Sequence, residues 1–289
     1  MKIKILIPIY NDWNSVKLLI NNIDKAVTDI EGNFSVIIIN DASTQKKPDN
    51  FLSFKNLKSV KIINMINNRG HGRCNAAGLK YIFENEEFDY VIPMDGDGED
   101  RPEEIKKFIE FTKYDNSRPI VGERIKRSEG IMFGLFYSIH KLITFIFTGQ
   151  SIKFGNYTCL PKSTVEKMIN EKATWSSFSG SLAKVEKNRS TIPSIRGNRY
   201  FGPSKMSFFN LIKHSLSIIA VFKTNVIIRS VLFLLIYLFI IFENLSYVTS
   251  IPLIAVLALV ISVLTISKRE NMDEFSNSLL NIQNIDKIK

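Results

Sequence analysis

The sequence predicts an α/β protein with a mostly parallel sheet flanked by helices, followed by interfacial helices and a two-helix transmembrane hairpin. Three observations lead to this prediction. Short apolar runs alternate with segments of helical periodicity along the first half of the chain. Each of these runs ends in polar residues or glycine. Two later runs are almost free of charge and close to the roughly 20 residues that a membrane span needs.

The strands are indicated by apolar runs with polar boundaries. They cover residues 3–9, 34–39, 60–66 and 90–94, with a short run at 120–121. Residues 13–27 and 72–83 repeat apolar side chains at helical spacing, and Pro102 favours the first turn of another helix. Alternating strands and helices indicate βαβ units and a mostly parallel sheet. Ligands bind at the carboxyl edge of such sheets.

The two uncharged runs predict a membrane hairpin. Residues 226–242 hold one charge, Arg229, and residues 247–266 hold none. Core helices rarely run this long without polar positions. The turn at 243–246 has no Lys or Arg, whereas Lys223, Lys268 and Arg269 flank the outer ends. The positive-inside rule then predicts a multi-pass protein of the cytoplasmic (inner) membrane, with its N-terminal domain in the cytoplasm.

Composition narrows the class of partner. A net charge of +10 suits either nucleic acid or an anionic membrane surface. The apolar runs favour the membrane, and no basic motif interleaved with aromatic residues points to nucleic acid. The chain has two cysteines without paired spacing, so neither a disulfide framework nor a zinc site is expected. The apolar run at 2–10 lacks a cleavage site and is not read as a signal peptide.

The most informative segment is residues 91–100, an apolar run that ends in alternating acids. Asp95 and Asp97 are two apart, so an extended chain places their side chains on one face. Gly96 and Gly98 leave room for a bulky group to approach the backbone. Carboxylate oxygens beside open space suit Mg²⁺ or Mn²⁺, which also take phosphate oxygens as ligands. An acidic turn without chemistry is the alternative that this segment alone leaves open.

The order of several short motifs resembles the family 2 glycosyltransferases, which have the GT-A fold. Within that family the chain is similar to the polyprenyl-phosphate glycosyltransferases, the group of dolichyl-phosphate mannose synthase. The resemblance covers residues 1 to about 225, and the hairpin also fits the group. The matching segments are 8–12 (PIYND), 40–43 (NDAS), 94–97 (MDGD), 101–104 (RPEE), 122–124 (GER), 155–157 (GNY) and 202–205 (GPSK).

The resemblance implies an inverting transferase that moves a sugar from a UDP- or GDP-linked donor to an undecaprenyl- or dolichyl-type phosphate. It also implies a divalent metal, Mg²⁺ or Mn²⁺. A membrane-anchored family 2 enzyme with a hydroxyl acceptor, glycan or lipid, is the alternative. The expected organisation is a GT-A catalytic domain over 1–205, a juxtamembrane interfacial helix over 206–224, two transmembrane helices over 225–267 and a cytoplasmic tail over 268–289. A homo-oligomer is compatible with the sequence but is not indicated by it.

The resemblance also implies roles for individual residues. The nucleotide-sugar pocket would include Pro8, Tyr10, Asp12, Asp41 and Asp95, with Asp41 accepting from the base or ribose. A turn-forming role for Asp41 is the alternative. The metal would be held by Asp95, Asp97 and Glu99, with Asp97 as a catalytic residue.

Basic residues are expected around the acceptor phosphate. Arg124 corresponds to a family arginine near the phosphates and is the second catalytic candidate. Further candidates for the acceptor phosphate are Arg127, Arg199 and Lys205. Attraction to anionic headgroups is the alternative explanation for such cations.

Asn156 departs from the pattern of the family. Many relatives carry Asp where Asn156 stands, and an amide cannot act as a base. A phosphate acceptor could manage without one, whereas a hydroxyl acceptor could not do so easily. Residues 131–147 are dense in Phe, Ile and Leu, and both a core helix and an interfacial helix remain open for them. The tail is read as either helical or disordered.

Overall fold

The computed structural model describes residues 1–48, 53–126, 131–203 and 208–289. Arg127 and Lys205, two of the residues predicted to bind the acceptor phosphate, lie outside this part of the chain. The strands are β1 (Lys2–Ile9), β2 (Asn33–Asn40), β3 (Ser59–Met65), β4 (Tyr90–Pro93), β5 (Ile120–Lys126), β6 (Phe154–Pro161), β7 (Ser190–Ile195) and β8 (Ile282–Lys287). The α-helices are α1 (Trp13–Ala26), α2 (His71–Asn85), α3 (Ile105–Thr112), α4 (Ile131–Thr148), α5 (Lys162–Ile169), α6 (Phe178–Val185), α7 (Phe208–Ala220), α8 (Lys223–Ile241), α9 (Tyr247–Ser267) and α10 (Met272–Ser276).

The described strands form an eight-stranded sheet in the order β7-β5-β6-β4-β1-β2-β3-β8. The central strands β4, β1, β2 and β3 run parallel, and β5 runs parallel to β7. Antiparallel pairs join β4 to β6, β5 to β6 and β3 to β8. The predicted α/β sheet is confirmed. Its central strands are parallel, whereas antiparallel pairs occur toward both edges. The carboxyl ends of four adjacent strands therefore meet along one edge.

Apolar layers cover both faces of the sheet. Successive side chains of a strand point to opposite faces, so Ile5 and Ile7 pack with α1 and α3 while Leu6 packs with α2, α5 and α6. Ile5, Leu6 and Ile7 are all fully buried. Strands buried on both faces read as continuous apolar runs, which is why β1 and β2 are visible in the sequence.

The segment after α9 returns to the sheet. Its last strand, β8, pairs antiparallel with β3, from Lys61 opposite Lys287 to Met65 opposite Ile282. Phe275 of α10 is fully buried, and its ring stacks on that of Trp175 with centroids 5.5 Å apart. The described part of residues 268–289 is thus ordered into helix and strand. An edge strand of this kind was not among the predicted elements.

The chain divides into two compact units. One comprises Met1–Ser128, Lys153–Lys205 and Asn271–Lys289, and the other Glu129–Ile152 and Met206–Glu270. The predicted boundaries include residues 131–147 in the domain 1–205, with a core helix and an interfacial helix both open, and assign residues 268–289 to a tail. The contacts group α4 with the apolar helices and β8 with the sheet.

The second unit holds α4, α7, α8 and α9. Ile219, Val226 and Val263 form its small buried cluster. Many other apolar side chains are exposed, among them Leu142 and Phe145 on α4. In the described part of the chain, two helical segments are long and apolar enough to cross a membrane: Lys223–Asn244 and Tyr247–Ser276, each with mean hydropathy 2.5. They are candidate spans, and a short turn joins them, so they could form a hairpin.

Candidate active site

The acidic loop directly follows β4, at the edge where the parallel strands end. The backbone N–H of Asp95 donates to the buried carboxylate of Asp100 at 2.9 Å, and the N–H of Glu99 donates to Asp97 at 3.0 Å. Gly98 has φ +89°, a conformation that side chains rarely adopt. A Cβ there would also lie 2.4 Å from the ring of Tyr200, so the space beside Gly98 is filled by this tyrosine.

Arginines from the segment after β7 contact the acidic loop. Arg199 donates to Asp97 and to Asp12, both at 2.6 Å, and Arg196 forms an ion pair with Glu99. The backbone N–H of Tyr200 donates to the carbonyl of Asp97 at 2.9 Å. This segment therefore binds the acidic loop through ion pairs and through a backbone hydrogen bond.

A histidine that was not among the predicted site residues lies against Asp95. His71 begins α2, and its Nε2 is 3.3 Å from Asp95 Oδ1. The amide of Asn156 lies 2.7 Å from the same ring nitrogen and donates to Asp95 at 3.3 Å. The Gly-His-Gly sequence at a helix start was the available signal, but only the fold brings this imidazole to the acid.

Burial and mutual repulsion perturb the acids. Burial raises the pKa of Asp97 and of Asp100, and the negative charge of Asp95 raises both further. Burial opposes ionisation of Asp95 as well, but the hydrogen bond and charge of His71 hold its pKa below the usual value. The nearby arginines do not fully offset the crowded negative charge. A cation placed here would relieve it.

The donor set fits a hard divalent cation with an open coordination sphere. Asp95 and Asp97 offer carboxylate oxygens, which Mg²⁺ and Mn²⁺ prefer, and substrate phosphates commonly supply further ligands. Among the described residues, no three His, Cys, Asp or Glu side chains form a group that could hold a metal by themselves. Glu99, the third predicted ligand, forms an ion pair with Arg196 in this structure.

Arg124 lies on β5 beside β6. A Cβ on Gly155 would come within 2.8 Å of its guanidinium, which locates that group against the residue preceding Asn156. Its positive charge lowers the pKa of both Asp95 and Asp100. Arg124 is thus part of the electrostatic environment of the acidic loop.

The segment after β1 lies at the same edge. Pro8 is buried within β1, whereas Tyr10 is 44 % exposed. Asp12 accepts from Ser15 at 2.6 Å and from Arg199. Two of the residues predicted to line the donor pocket, Asp12 and Asp95, therefore belong to one polar network. Arg199 joins Asp12 to Asp97, and the acidic loop joins Asp97 to Asp95. Tyr10, also predicted for this pocket, is open to solvent.

Asp41 directly follows β2 and is buried. Its carboxylate accepts from the backbone N–H groups of Arg69 and Gly70, both at 2.8 Å, so it fixes the loop that leads into α2. It also lines a cavity of about 450 Å³ at the carboxyl ends of β2 and β3. The first turn of α2 contacts both places, with His71 at Asp95 and Cys74 in the cavity wall.

Comparisons with known proteins find relatives of this chain. The chain is 27% identical over 222 residues to an undecaprenyl-phosphate 4-deoxy-4-formamido-L-arabinose transferase of Klebsiella pneumoniae (strain 342). A protein of the same name from Salmonella choleraesuis (strain SC-B67) is 27% identical over 216 residues. Each match covers 73% of this chain and 64% of the relative, so the chain spans a little under two thirds of the length of these relatives.

Solved structures show the same fold at low sequence identity. Glucosyl-3-phosphoglycerate synthase from Mycobacterium tuberculosis, in complex with Mn²⁺, UDP-glucose and phosphoglyceric acid, has TM-score 0.55 and 11% identity, over 78% of this chain and 79% of that one. A mannosyltransferase from Pyrobaculum calidifontis, in complex with GDP-Man and Mn²⁺, has TM-score 0.50 and 12% identity, over 96% and 86%. The sequence profile described as "Glycosyl transferase family 2" matches residues 4–175, more than half of the chain. The chain belongs to glycosyl transferase family 2.

Proposed function

We propose that this protein is an inverting, metal-dependent glycosyltransferase that moves a sugar from a nucleotide sugar to a polyprenyl phosphate at the cytoplasmic face of a membrane. The observation that carries the proposal is the acidic loop after β4, which holds Asp95 and Asp97 and in which Asp95 contacts His71 at the start of α2. The sequence relatives, which are undecaprenyl-phosphate sugar transferases, support the acceptor class.

The donor would lie along the carboxyl edge of the parallel strands. Its diphosphate would meet the start of α2, since helix N-termini favour anions. Its base or ribose would lie toward Asp41, which lines the neighbouring cavity. Tyr10 is exposed enough to contact the same nucleotide. A divalent cation held by Asp95 and Asp97 would offset the charge of the leaving diphosphate.

The reaction requires little proton transfer. An oxygen of the acceptor phosphate attacks the anomeric carbon, the bond from that carbon to the donor diphosphate breaks, and the nucleoside diphosphate leaves with the bonding electrons. A phosphate oxyanion is already nucleophilic at neutral pH, so positioning and charge compensation carry the rate. The neutral amide of Asn156 beside Asp95 agrees with this acceptor. Arg124 would compensate phosphate charge, and Arg127 and Lys205 keep the acceptor role expected from the sequence.

A hydroxyl acceptor is the second candidate. It would need a base to remove the hydroxyl proton. His71, 2.7 Å from the Asn156 amide nitrogen, is an imidazole at a suitable place. The two acceptor classes are separated by an assay that adds or omits polyprenyl phosphate.

The membrane arrangement rests on the candidate spans and on the sheet. β3 precedes the two spans and β8 follows them, yet they are neighbours in one sheet. A chain that leaves a sheet and returns to it crosses a membrane an even number of times, and two spans satisfy this. Lys223 and Lys268 at the outer ends favour a cytoplasmic catalytic unit. A tag inserted at residues 243–246 is expected to react only with reagents outside the cytoplasm. Labelling from the cytoplasm would contradict the hairpin.

The decisive assay uses purified protein in nanodiscs with Mn²⁺ or Mg²⁺ and a panel of radiolabelled nucleotide sugars. Label in the organic phase that requires both metal and polyprenyl phosphate would support the proposal and identify the sugar. Asp97→Ala is expected to abolish transfer, whereas Asp29→Ala, at an exposed acid on the loop after α1, should not. Full activity of Asp97→Ala would remove the metal assignment. Transfer that proceeds without lipid phosphate to a hydroxyl compound would favour the second candidate.

A further inference from the structure

The cavity beside Asp41 has two walls of different origin. One comes from the ends of β2 and β3 and the first turn of α2, and includes Asp41, Asn67 and Cys74. The other comes from the segment after the second apolar helix, and includes Asn277, Ser278 and Leu280. The segment Asn271–Asn281, here termed the returning segment, thus encloses a space that the sheet alone would leave open.

The returning segment is firmly attached to the loop that follows β3. Asn281 accepts from the backbone N–H of Asn67 at 3.0 Å, and its amide donates to the Asn67 carbonyl at 2.8 Å. Glu274 accepts from the indole of Trp175 at 2.9 Å and lies 3.1 Å from the guanidinium of Arg73. These contacts come from within one compact unit and fix the wall of the cavity.

One polar group in this wall has no partner. Ser278 is 4 % exposed, and its hydroxyl is buried without a hydrogen-bond partner among the described residues. A buried hydroxyl without a partner costs free energy, of the order of 1–3 kcal/mol. The hydroxyl is closed to solvent in this structure, but the residue lines the cavity, so a rotation about χ1 can turn the hydroxyl toward a ligand there.

The composition of the cavity suits a flat heterocycle. Met65, Ile66 and Leu280 provide apolar surface, while Asn67 and Asn277 provide amide groups at its margin. Its volume of about 450 Å³ lies within the usual range for small-molecule sites, roughly 300–1,000 Å³. A nucleobase has apolar faces and polar edges, so it matches this lining.

The cavity is also close enough to the acidic loop for one ligand to reach both. His71 contacts Asp95, and Arg73 and Cys74 line the cavity. These residues belong to the same helical turn, whose pitch is about 5.4 Å. A diphosphate at the start of α2 therefore leaves its nucleoside beside the cavity.

We propose that the returning segment forms one wall of the donor's nucleobase pocket, with the Ser278 hydroxyl bonding to the base or its ribose. Asn281 acts as a positioning residue that holds Asn67 in the opposite wall. This inference rests on the proposed function, because it assumes a nucleoside diphosphate donor.

The test measures binding of UDP and GDP, with Mn²⁺, to the full chain in nanodiscs by calorimetry. Ser278→Ala is expected to weaken binding of the preferred nucleotide about three- to tenfold, the effect of one hydrogen bond. Ser278→Leu, which fills the cavity, should weaken it further. The matched control is Ser276→Ala, two residues away, at an exposed serine outside the cavity wall.

Pyrophosphate with Mn²⁺ is the probe that lacks a base, and its affinity should be the same in all four proteins. Wild-type nucleotide affinity in both Ser278 variants would overturn the inference and leave the proposed function intact. An equal loss of pyrophosphate binding in Ser278→Ala would overturn it too, because the effect would not depend on the base. If the wild-type protein binds neither nucleotide, the proposed function itself fails.

Discussion

Arg199 and Asp97 form a 2.6 Å ion pair at the centre of the candidate active site, and the same guanidinium reaches Asp12 at 2.6 Å. Both acids are largely buried, with side chains 17 % exposed. Arg199 was predicted to face the acceptor phosphate. That prediction stays untested, and in this structure Arg199 neutralises a carboxylate that we propose as a metal ligand. A bound cation would therefore compete with the guanidinium for the same oxygens.

We expect Arg199→Gln to raise the affinity for Mn²⁺ in the absence of nucleotide. Removing a partly buried ion pair frees Asp97, and about 1 kcal/mol corresponds to roughly fivefold in affinity. Electron paramagnetic resonance of free Mn²⁺ measures this directly. Arg118→Gln, at an exposed arginine paired with Asp115, serves as control and should leave the affinity unchanged. Weaker Mn²⁺ binding in Arg199→Gln would show that Arg199 supports the metal site.

We expect Asn156→Asp to lower the melting temperature in metal-free buffer. The new carboxylate would lie near Asp95, where burial and charge already oppose ionisation of the neighbouring acids. Saturating Mn²⁺ should narrow the difference from wild type. The readout is thermal unfolding with and without Mn²⁺, and Asn156→Ala controls for loss of the amide. If Mn²⁺ does not change the difference in melting temperature, position 156 does not interact with the proposed metal site.

We expect Phe275→Ala to destabilise the compact unit that contains the sheet. Phe275 is fully buried and stacks on Trp175, so truncation leaves a cavity that costs about 3–5 kcal/mol. The melting temperature should fall, and proteolysis should cleave more readily around residues 268–281. Tyr114→Ala, at an aromatic residue that is 89 % exposed, is the control and should change little. Wild-type stability would mean that the returning segment is not required by the fold.

A pH-dependent contribution is expected from Glu86. Burial raises the pKa of its carboxyl, but hydrogen bonds from Lys4 and Lys61 outweigh burial and bring the pKa below its usual value. A lowered pKa stabilises the fold above the unfolded value of about 4.3, and this stability is lost as the pH falls through the folded value.

At pH 7, Glu86→Gln should therefore cost roughly 2 kcal/mol, and the difference from wild type should shrink below about pH 4. Thermal unfolding at both pH values tests this. Glu87→Gln removes an exposed partner of Lys2 and should have little effect. A difference that stays constant with pH would exclude ionisation of Glu86 as the cause.

The central strands could be predicted from the sequence because they are buried on both faces. β1 and β2 bury all but their first residue, which gives unbroken apolar runs. β8 gives no such signal. It is an edge strand that pairs only with β3, and its sequence, IQNIDK, is mostly polar. Its partner residues are distant in the chain, as for Asn64 and Asn284, which are 220 positions apart.

The candidate site was visible in part for a similar reason. Asp95 and Asp97 directly follow a strand that can be recognised from its apolar run, so the local sequence pattern predicts their position at the end of that strand. His71, Arg196 and Arg199 reach the acidic loop only through folding, and nothing in their own segments specifies a carboxylate partner. The ion pairs among these residues form only when the strands come together at the edge of the sheet, so the sequence alone does not reveal them.

The position of β8 also imposes an order on biosynthesis. The strand is made after α8 and α9, so the nascent sheet lacks its last strand, and Trp175 lacks its aromatic partner, until both apolar helices have left the ribosome. Chains are synthesised at about 5–20 residues per second, and domains generally fold as units. The compact unit that contains the sheet is therefore completed only in molecules that already carry both apolar helices.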